Sequence, residues 1–450
     1  MKITIIGAGK VGIEIAHRLA EEGHDIVVID RNEAQLTKIH ETLDVLTVKG
    51  NGSSSQLLRD TGLDDSDLLV SVTDSDEINM ISCMTAKRVG ITRAIARIRD
   101  PDYARDLIIS KEDLGIDLVI NPDYAASQEI SRLLTLNLPV HTEHFANGRV
   151  QMAELMVEES NTHFANKRIM DIDLPKSCLI VGISHRGEMN VPGGKDFVHA
   201  NDTIYVLGNS ESIKKICARF KIRRQRVQNV ILMGGGRIGL YLAEKLSKTG
   251  MKVKIIEQNM DRCQELANRL DDVLVLRGDG TDVDLLRREG IHETDAFVAV
   301  TGFDEENLLM ALLAKQLGAK RVIAKVSRPS YAPLVERLGV DSAISPRLIT
   351  IGEILRFIRG GRLLSLVLLL NEQAEVLEVI AQPGSRIVGR PLYQSGLPRG
   401  VIIGAISRGD KAIIPKGNDI IQEGDRLVVF ALGHVVHTVE ALCGQGDVVD

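Results

Sequence analysis

An apolar strand that runs directly into a glycine-rich turn and a helix occurs twice, and this repetition constrains the fold more than any other feature of the chain. The first copy is Ile3-Thr4-Ile5-Ile6-Gly7-Ala8-Gly9-Lys10-Val11-Gly12, and the second is Val230-Ile231-Leu232-Met233-Gly234-Gly235-Gly236-Arg237-Ile238-Gly239. A shift of 227 residues carries Gly7, Gly9, Gly12 and Asp30 onto Gly234, Gly236, Gly239 and Glu257. With one residue more, Gly50-Asn51-Gly52 falls on Gly278-Asp279-Gly280, and Thr73, Asp76, Glu77 and Asn79 fall on Thr301, Asp304, Glu305 and Asn307. Arg97 matches Lys325, and Pro101 and Tyr103 match Pro329 and Tyr331. The period is too long for a solenoid, because each copy can bury a sheet of its own.

Around each turn, strand-like and helix-like segments alternate. In the first half strands are predicted at Lys2–Ile6, Asp25–Ile29, Val45–Val48, Leu68–Val72, Ala94–Ile98 and Leu118–Ile120. A helix over Lys10–Glu22 carries Val11, Ile15 and Leu19 on one face. This alternation predicts right-handed crossovers and a parallel, Rossmann-like sheet. After a helix-like run at Ala125–Leu136 the texture changes near Leu138-Pro139. Met152–Val157, Leu179–Ile183 and Thr203–Leu207 read as strands of a small mixed module, with a turn at His185-Arg186-Gly187-Glu188. This module recurs, since Leu174-Pro175 and Ile180-Val181-Gly182-Ile183-Ser184 resemble Leu397-Pro398 and Ile402-Ile403-Gly404-Ala405-Ile406-Ser407. The expected fold class is α/β: nucleotide-type units at 1–123 and 228–348, each followed by a small α+β unit, at 140–226 and 366–450. A length of 450 residues demands several cores, and aromatics at 3% with no Trp leave aliphatic side chains to build them.

Other classes are disfavoured. A net charge of -6 argues against a dedicated nucleic-acid binder. The basic tract Lys214 to Arg226 reads first as a solvated helix and linker, with an acidic membrane face or partner as the sharper alternative. The five cysteines lie far apart and read as reduced thiols. The longest apolar run, Leu363 to Leu370, is too short to cross a bilayer, so a soluble protein is expected. No metal ligands and no catalytic residues are assigned.

A strand, a G-x-G-x-x-G turn and a helix together form a phosphate-binding device. Gly7 permits the tight turn, Gly9 admits a pyrophosphate and Gly12 lets the helix lie close to the sheet, with the amides of Lys10–Gly12 facing the anion. Asp30 ends the second strand, where an acid accepts both ribose hydroxyls of an adenosine and disfavours a 2′-phosphate. Gly234, Gly236, Gly239 and Glu257 repeat the set. Gly50-Asn51-Gly52 and Gly278-Asp279-Gly280 contact the base or simply make turns. Thr73-Asp74, Thr301, Arg97 and Lys325 end strands at the ligand-binding edge, where the cations pair with phosphate or with a neighbouring Asp. A dehydrogenase needs an acid or base near the nicotinamide and a substrate domain. His17, His24, His141, His144 and His163 form no such constellation, although an NAD-dependent oxidoreductase and a nucleotide-binding scaffold both stay open.

The doubled turn, the acid, the Gly-Asn-Gly or Gly-Asp-Gly turn and Thr73-Asp74-Ser75-Asp76-Glu77-x-Asn79, each followed by a small module, resemble the RCK (KTN) family in its tandem form. The run Ile95-Ala96-Arg97-Ile98-Arg99-Asp100-Pro101-Asp102-Tyr103 is close to that family's wording. The resemblance implies a cytoplasmic regulator, peripheral on the inner face of the cell membrane. It would assemble as a homotetrameric ring beneath a Trk-type potassium channel subunit and bind NAD(H) and, in some members, ATP or ADP. Carried over, the binding positions are Gly7, Ala8, Gly9, Lys10, Val11, Asp30, Asn51, Gly52, Thr73, Asp74 and Arg97. Their counterparts are Gly234, Gly235, Gly236, Arg237, Ile238, Glu257, Asp279, Gly280, Thr301 and Lys325. Asn51, where many members carry Asp or another polar residue, departs from the pattern at the base contact, and Lys325 in place of arginine makes the two sites unequal.

Overall fold

The computed structural model describes residues 1–100, 113–135, 142–220, 227–328, 331, 335, 338–358, 363–369, 373–409 and 411–443. Pro101, Tyr103, Leu138-Pro139, His141, the end of the basic tract at 221–226, and Pro329 lie outside the described residues.

The first sheet contains β1 (Lys2–Ile6), β2 (Asp25–Asp30), β3 (Leu46–Lys49), β4 (Leu68–Ser71), β5 (Arg93–Arg97) and β6 (Leu118–Ile120), in the order β3-β2-β1-β4-β5-β6. Every neighbouring pair is parallel. The order reverses between β1 and β4, which opens a crevice at their carboxyl ends. Next come β7 (Thr142–Phe145), β8 (Val150–Met156), β9 (Lys167–Arg168), β10 (Cys178–His185), β11 (Glu188–Asn190), β12 (Phe197–Val198) and β13 (Thr203–Asn209). Five of them form an antiparallel sheet, β11-β10-β13-β8-β7, and β12 pairs with β9. Arg186 and Gly187 take positive φ in the two-residue turn between β10 and β11, the hairpin geometry expected there.

The second half repeats this plan. Strands β14 (Asn229–Met233), β15 (Lys252–Glu257), β16 (Val273–Arg277), β17 (Ala296–Ala299), β18 (Val322–Lys325) and β19 (Ser342–Ile344) give the parallel order β16-β15-β14-β17-β18-β19. Strands β20 (Leu363–Leu369), β21 (Ala374–Ile380), β22 (Val401–Arg408), β23 (Lys411–Ile413) and β24 (Arg426–Leu432) form the order β20-β21-β24-β22-β23.

The halves are not independent. Helix Pro122–Thr135 follows β6, yet its apolar stripe Ala126, Ile130, Leu133 and Leu134 is buried in the core of the second parallel unit, with Leu232, Leu242 and Ile255. Helix Pro346–Ile358 does the reverse, placing Ile351, Ile354, Leu355 and Ile358 among Ile3, Ile5, Ile15 and Leu19 of the first. Each stripe follows helical spacing. Burying about four such side chains contributes roughly 6–12 kcal/mol before ordering entropy is counted, so the exchanged helices fasten the two parallel units together.

The small sheets face each other. On β13, Ile204 and Val206 point into their own module's core, while Tyr205 and Leu207 join Val428 and Phe430 of β24 in a core shared by both modules. Because both faces are buried, these strands read as continuous apolar runs. Each module has a glycine at a register shift where the sheets touch: a Cβ on Gly182 would stand 2.5 Å from Phe430 Cζ, and one on Gly404 would stand 2.9 Å from Leu207 Cδ1. Gly182→Val is therefore expected to destabilise the chain by about 2 kcal/mol through overpacking. An unchanged urea midpoint would contradict the face-to-face pairing.

All five cysteines are buried free thiols; burial pushes Cys83 and Cys178 up to about 12. No helix among the described residues is long and apolar enough to cross a membrane.

Candidate functional site

Both glycine turns stand at the switch point of a parallel sheet. Gly7 has φ +107° and Gly234 φ +108°, the left-handed range that glycine tolerates. A Cβ on Gly12 would lie 1.8 Å from Gly7 O, and one on Gly239 2.1 Å from Gly234 O, so only glycine lets each helix begin so close to its turn. Gly9 and Gly236, the N-caps of helices Lys10–Glu21 and Arg237–Ser247, are different: a Cβ there meets nothing within 4 Å. That open space lies before unpaired helix amides and the positive end of the helix dipole.

The acids at the ends of β2 and β15 are tied to the turns. Asp30 accepts from Ala8 N at 2.6 Å and from Asn32 N at 2.8 Å. Glu257 accepts from Gly235 N at 2.8 Å and from Asn259 N at 2.9 Å. The second turn has glycine at the Ala8 position because a Cβ on Gly235 would stand 2.5 Å from Leu266 Cδ1, with Glu257 Oε2 next at 3.1 Å. A carboxylate has about four acceptor positions, so about two remain open on each acid.

Gly7, Gly9, Asp30, Asn51, Gly52, Thr73 and Asp74 surround one cavity of about 310 Å³ in the first half, near the lower end of the range of small-ligand pockets. Ala8 contributes its amide to Asp30, whereas Lys10 and Val11 open the helix. Asn51 closes its own turn, with Oδ1 accepting from Ser53 Oγ at 3.0 Å. Asp279 does the same with Thr281 N at 2.8 Å and Oγ1 at 2.7 Å, and the Thr281 backbone N–H holds its carboxyl below the ordinary value. Of the two readings of these positions, turn chemistry is the one visible here. Gly52 and Gly280 are required by close packing on Ile6 and Met233.

At the far edge, Arg97 donates to Thr73 O and, at 2.9 Å, to Asp74 Oδ1. Its side chain is buried beside a fully exposed carboxylate, and its buried Nε has no hydrogen-bond partner. Burial pushes the guanidinium below its ordinary value, Arg99 adds to the shift and Asp74 offsets it. Lys325 donates to Thr301 O at 2.8 Å. Burial also lowers its ammonium, with Asp304 and Asp123 opposing; Arg347 and Lys10 act in the same direction as burial. Lys10 and Asp123 belong to the first half, so charges of that half act on the Lys325 ammonium.

Asn79 and Asn307 occupy matching positions of the repeat, and the fold gives both the same role. Asn79 accepts from Thr73 N and Oγ1 at 2.9 and 2.8 Å and donates to Arg97 O at 2.8 Å; Asn307 repeats this on Thr301 and Lys325. Each buried amide thus fixes the two strand ends that carry the cleft's threonine and cation. Arg262 was missed entirely. Its Nε donates to Gly235 O at 2.7 Å, against the second turn, and the matching residue of the first half is Gln35, which lines the first cavity.

The TrkA-N domain model matches residues 3–122 and again 230–346, and the TrkA-C domain model matches 152–221 and 376–444. The chain is 40% identical over 448 residues to the Trk system potassium uptake protein TrkA homolog 1 of Methanosarcina mazei, covering 98% of this chain and 99% of that one. It is 35% identical over 438 residues to the Trk system potassium uptake protein TrkA of Haemophilus influenzae, covering 96% and 95%. Among solved structures, the GsuK RCK domain aligns with a TM-score of 0.61 at 20% identity over 98% of this chain and 94% of that chain. The GsuK channel bound to NAD gives 0.60 at 20% identity over 98% and 78%. At that identity the likeness establishes the fold: a tandem RCK arrangement.

Proposed function

The chain belongs to the TrkA family of tandem TrkA-N and TrkA-C proteins, and we propose that it is the nucleotide-sensing regulatory subunit of a Trk-type potassium-uptake system. Its clefts take adenine nucleotides, NAD(H) and also ATP or ADP. The observation that carries this reading is the doubled acid-on-turn arrangement, in which Asp30 and Glu257 each hold a glycine-turn amide beside an open helix N-terminus. In the assembly, four copies form a ring on the inner face of the membrane, against a channel subunit that supplies the pore.

The nucleotide's phosphates would lie on the amides after Gly9 and Gly236, its ribose on Asp30 and Glu257, and its far end near Arg97 and Lys325. The chain can convert occupancy into movement because helix Lys10–Glu21 begins at the first turn and carries Arg18, which pairs with Glu375 of the second small sheet. The exchanged helices extend that link to both halves. Ligands that prefer different angles between the parallel units and the small sheets shift the population of ring shapes. A ligand with equal affinity for both shapes shifts nothing, however tightly it binds.

Titration of NADH, NAD⁺ and ATP against the wild type, Asp30→Ala and Glu257→Ala tests the reading. Each acid would make charge-assisted hydrogen bonds to ribose, so its loss is expected to weaken binding at its own cleft by about 10- to 100-fold. Unchanged affinity in both variants would remove the acids from the ribose site. Steady oxidation of NADH with a small carbonyl substrate would favour an oxidoreductase instead.

A further inference from the structure

The two clefts share a plan but distribute charge differently. Where the first has Asp74, whose carboxylate is fully exposed at the cavity rim, the second has Gly302, with open space around it. Arg97 is therefore paired with a carboxylate inside its own cleft, whereas among the described residues no carboxylate forms an ion pair with Lys325. Arg262 places a guanidinium on the glycine turn, donating to Gly235 O at 2.7 Å and Gly236 O at 3.4 Å and pairing with Glu265 at 2.5 Å. At the ribose and base end the contrast reverses: the first cleft has Arg31 and the neutral Asn51, the second Gln258 and the ionised Asp279. The second cleft thus keeps its cation at the far edge without a carboxylate on the neighbouring strand end, and a further guanidinium on its turn, while the first offers an acceptor carboxylate at that edge.

A carboxylate at that edge repels a terminal phosphate and accepts hydroxyl groups. The far half of a dinucleotide presents ribose hydroxyls, and the far end of a nucleoside di- or triphosphate presents only anionic oxygens. We propose that the clefts divide two ligand classes, the first selecting a dinucleotide such as NAD(H) and the second a nucleoside di- or triphosphate, with Asp74, Gly302 and Arg262 as the residues that set the difference. This rests on the reading that both clefts hold adenine nucleotides.

Single-cleft proteins test it. A Cβ at Gly9 or Gly236 meets nothing within 4 Å, so Gly9→Asp leaves only the second cleft and Gly236→Asp only the first, each by setting a carboxylate where phosphate would bind. Calorimetric titration with NADH and ATP is expected to give ATP-to-NADH affinity ratios that differ at least about tenfold between the two proteins. Adding Gly302→Asp to Gly9→Asp should weaken ATP by about tenfold and NADH by less than about twofold, and Arg262→Gln should move the ratio in the same direction. Adding Asp74→Gly to Gly236→Asp should strengthen ATP. Equal ratios in the two single-cleft proteins, or ratios that the exchanges at 74 and 302 leave unmoved, would overturn the division while nucleotide sensing stands. Absence of binding in the wild type, or binding that survives in the Gly9→Asp/Gly236→Asp double variant, would overturn the sensing reading and the division with it.

Discussion

Gly12→Ala is expected to destroy the first cleft and to destabilise the whole chain, with Gly239→Ala doing the same from the second half. The added methyl would stand 1.8 Å from Gly7 O in one case and 2.1 Å from Gly234 O in the other. In both, the obstacle is backbone, so no rotamer change relieves it and the helix must move away from the turn. Helix Lys10–Glu21 buries Ile15, Ala16 and Leu19 in a core that also contains Ile354 and Leu355 of the exchanged helix and Leu377 and Val429 of the second small sheet. Displacing it disturbs packing across both halves. A loss of about 3–5 kcal/mol is expected, at the upper end for a single substitution, together with loss of nucleotide binding at the altered cleft. Gly9→Ala is the control: its Cβ meets open space, so stability should fall by no more than about 1 kcal/mol, the difference between glycine and alanine at an N-cap. Denaturant unfolding of the three variants decides the matter. A Gly12→Ala protein as stable as Gly9→Ala would show that the helix does not sit on the turn as described.

The parallel sheets were legible because their central strands are buried on both faces and their connections carry helical periodicity. Observed strand ends differ from the expected ones by a residue or two, as at Leu46–Lys49 and Arg93–Arg97. The residues of each cleft were also legible, because a phosphate-binding turn needs glycines at fixed offsets and an acid at the next strand end. What did not show is contact between segments far apart in sequence. The run Ala125–Leu136 reads as a helix leading away from its unit, and nothing local reveals that its stripe belongs in the core of the second sheet. The alternation of Ile204 and Val206 with Tyr205 and Leu207 is hidden for a related reason: both faces are apolar, so the run betrays neither which face meets its own helix nor which meets the other module. The difference between the clefts was only half visible. Lys325 opposite Arg97 stood out, but Gly302 opposite Asp74 acquires meaning only once Arg97 is seen bonded to that carboxylate and Lys325 to a carbonyl.

Arg18→Ala is the substitution expected to separate ligand binding from its transmission. Arg18 lies two turns beyond the first glycine turn on the same helix, and its guanidinium pairs with Glu375 on β21, a side chain with no exposure to solvent. Glu21 and Glu22 stand within 3.7 and 3.5 Å of the same guanidinium, and as carboxylates they only add to the negative charge left around Glu375 once the cation is removed. Removing the cation while leaving the buried carboxylate is expected to cost about 3 kcal/mol, whereas the apolar pair Arg18→Met/Glu375→Leu should recover most of that stability. The double variant is the more informative protein, because it restores packing without the charged tie. Its affinity for NADH should stay within about threefold of the wild type, since neither position touches the cleft and about threefold is well under 1 kcal/mol. If helix Lys10–Glu21 transmits occupancy through this ion pair, NADH-dependent protection of the Ala374–Ile380 amides in hydrogen exchange should fall in the double variant while that of the glycine turn persists. Equal protection of β21 in both proteins would assign transmission to the apolar core around Ile354 and Leu377, where the exchanged helix meets the same strand.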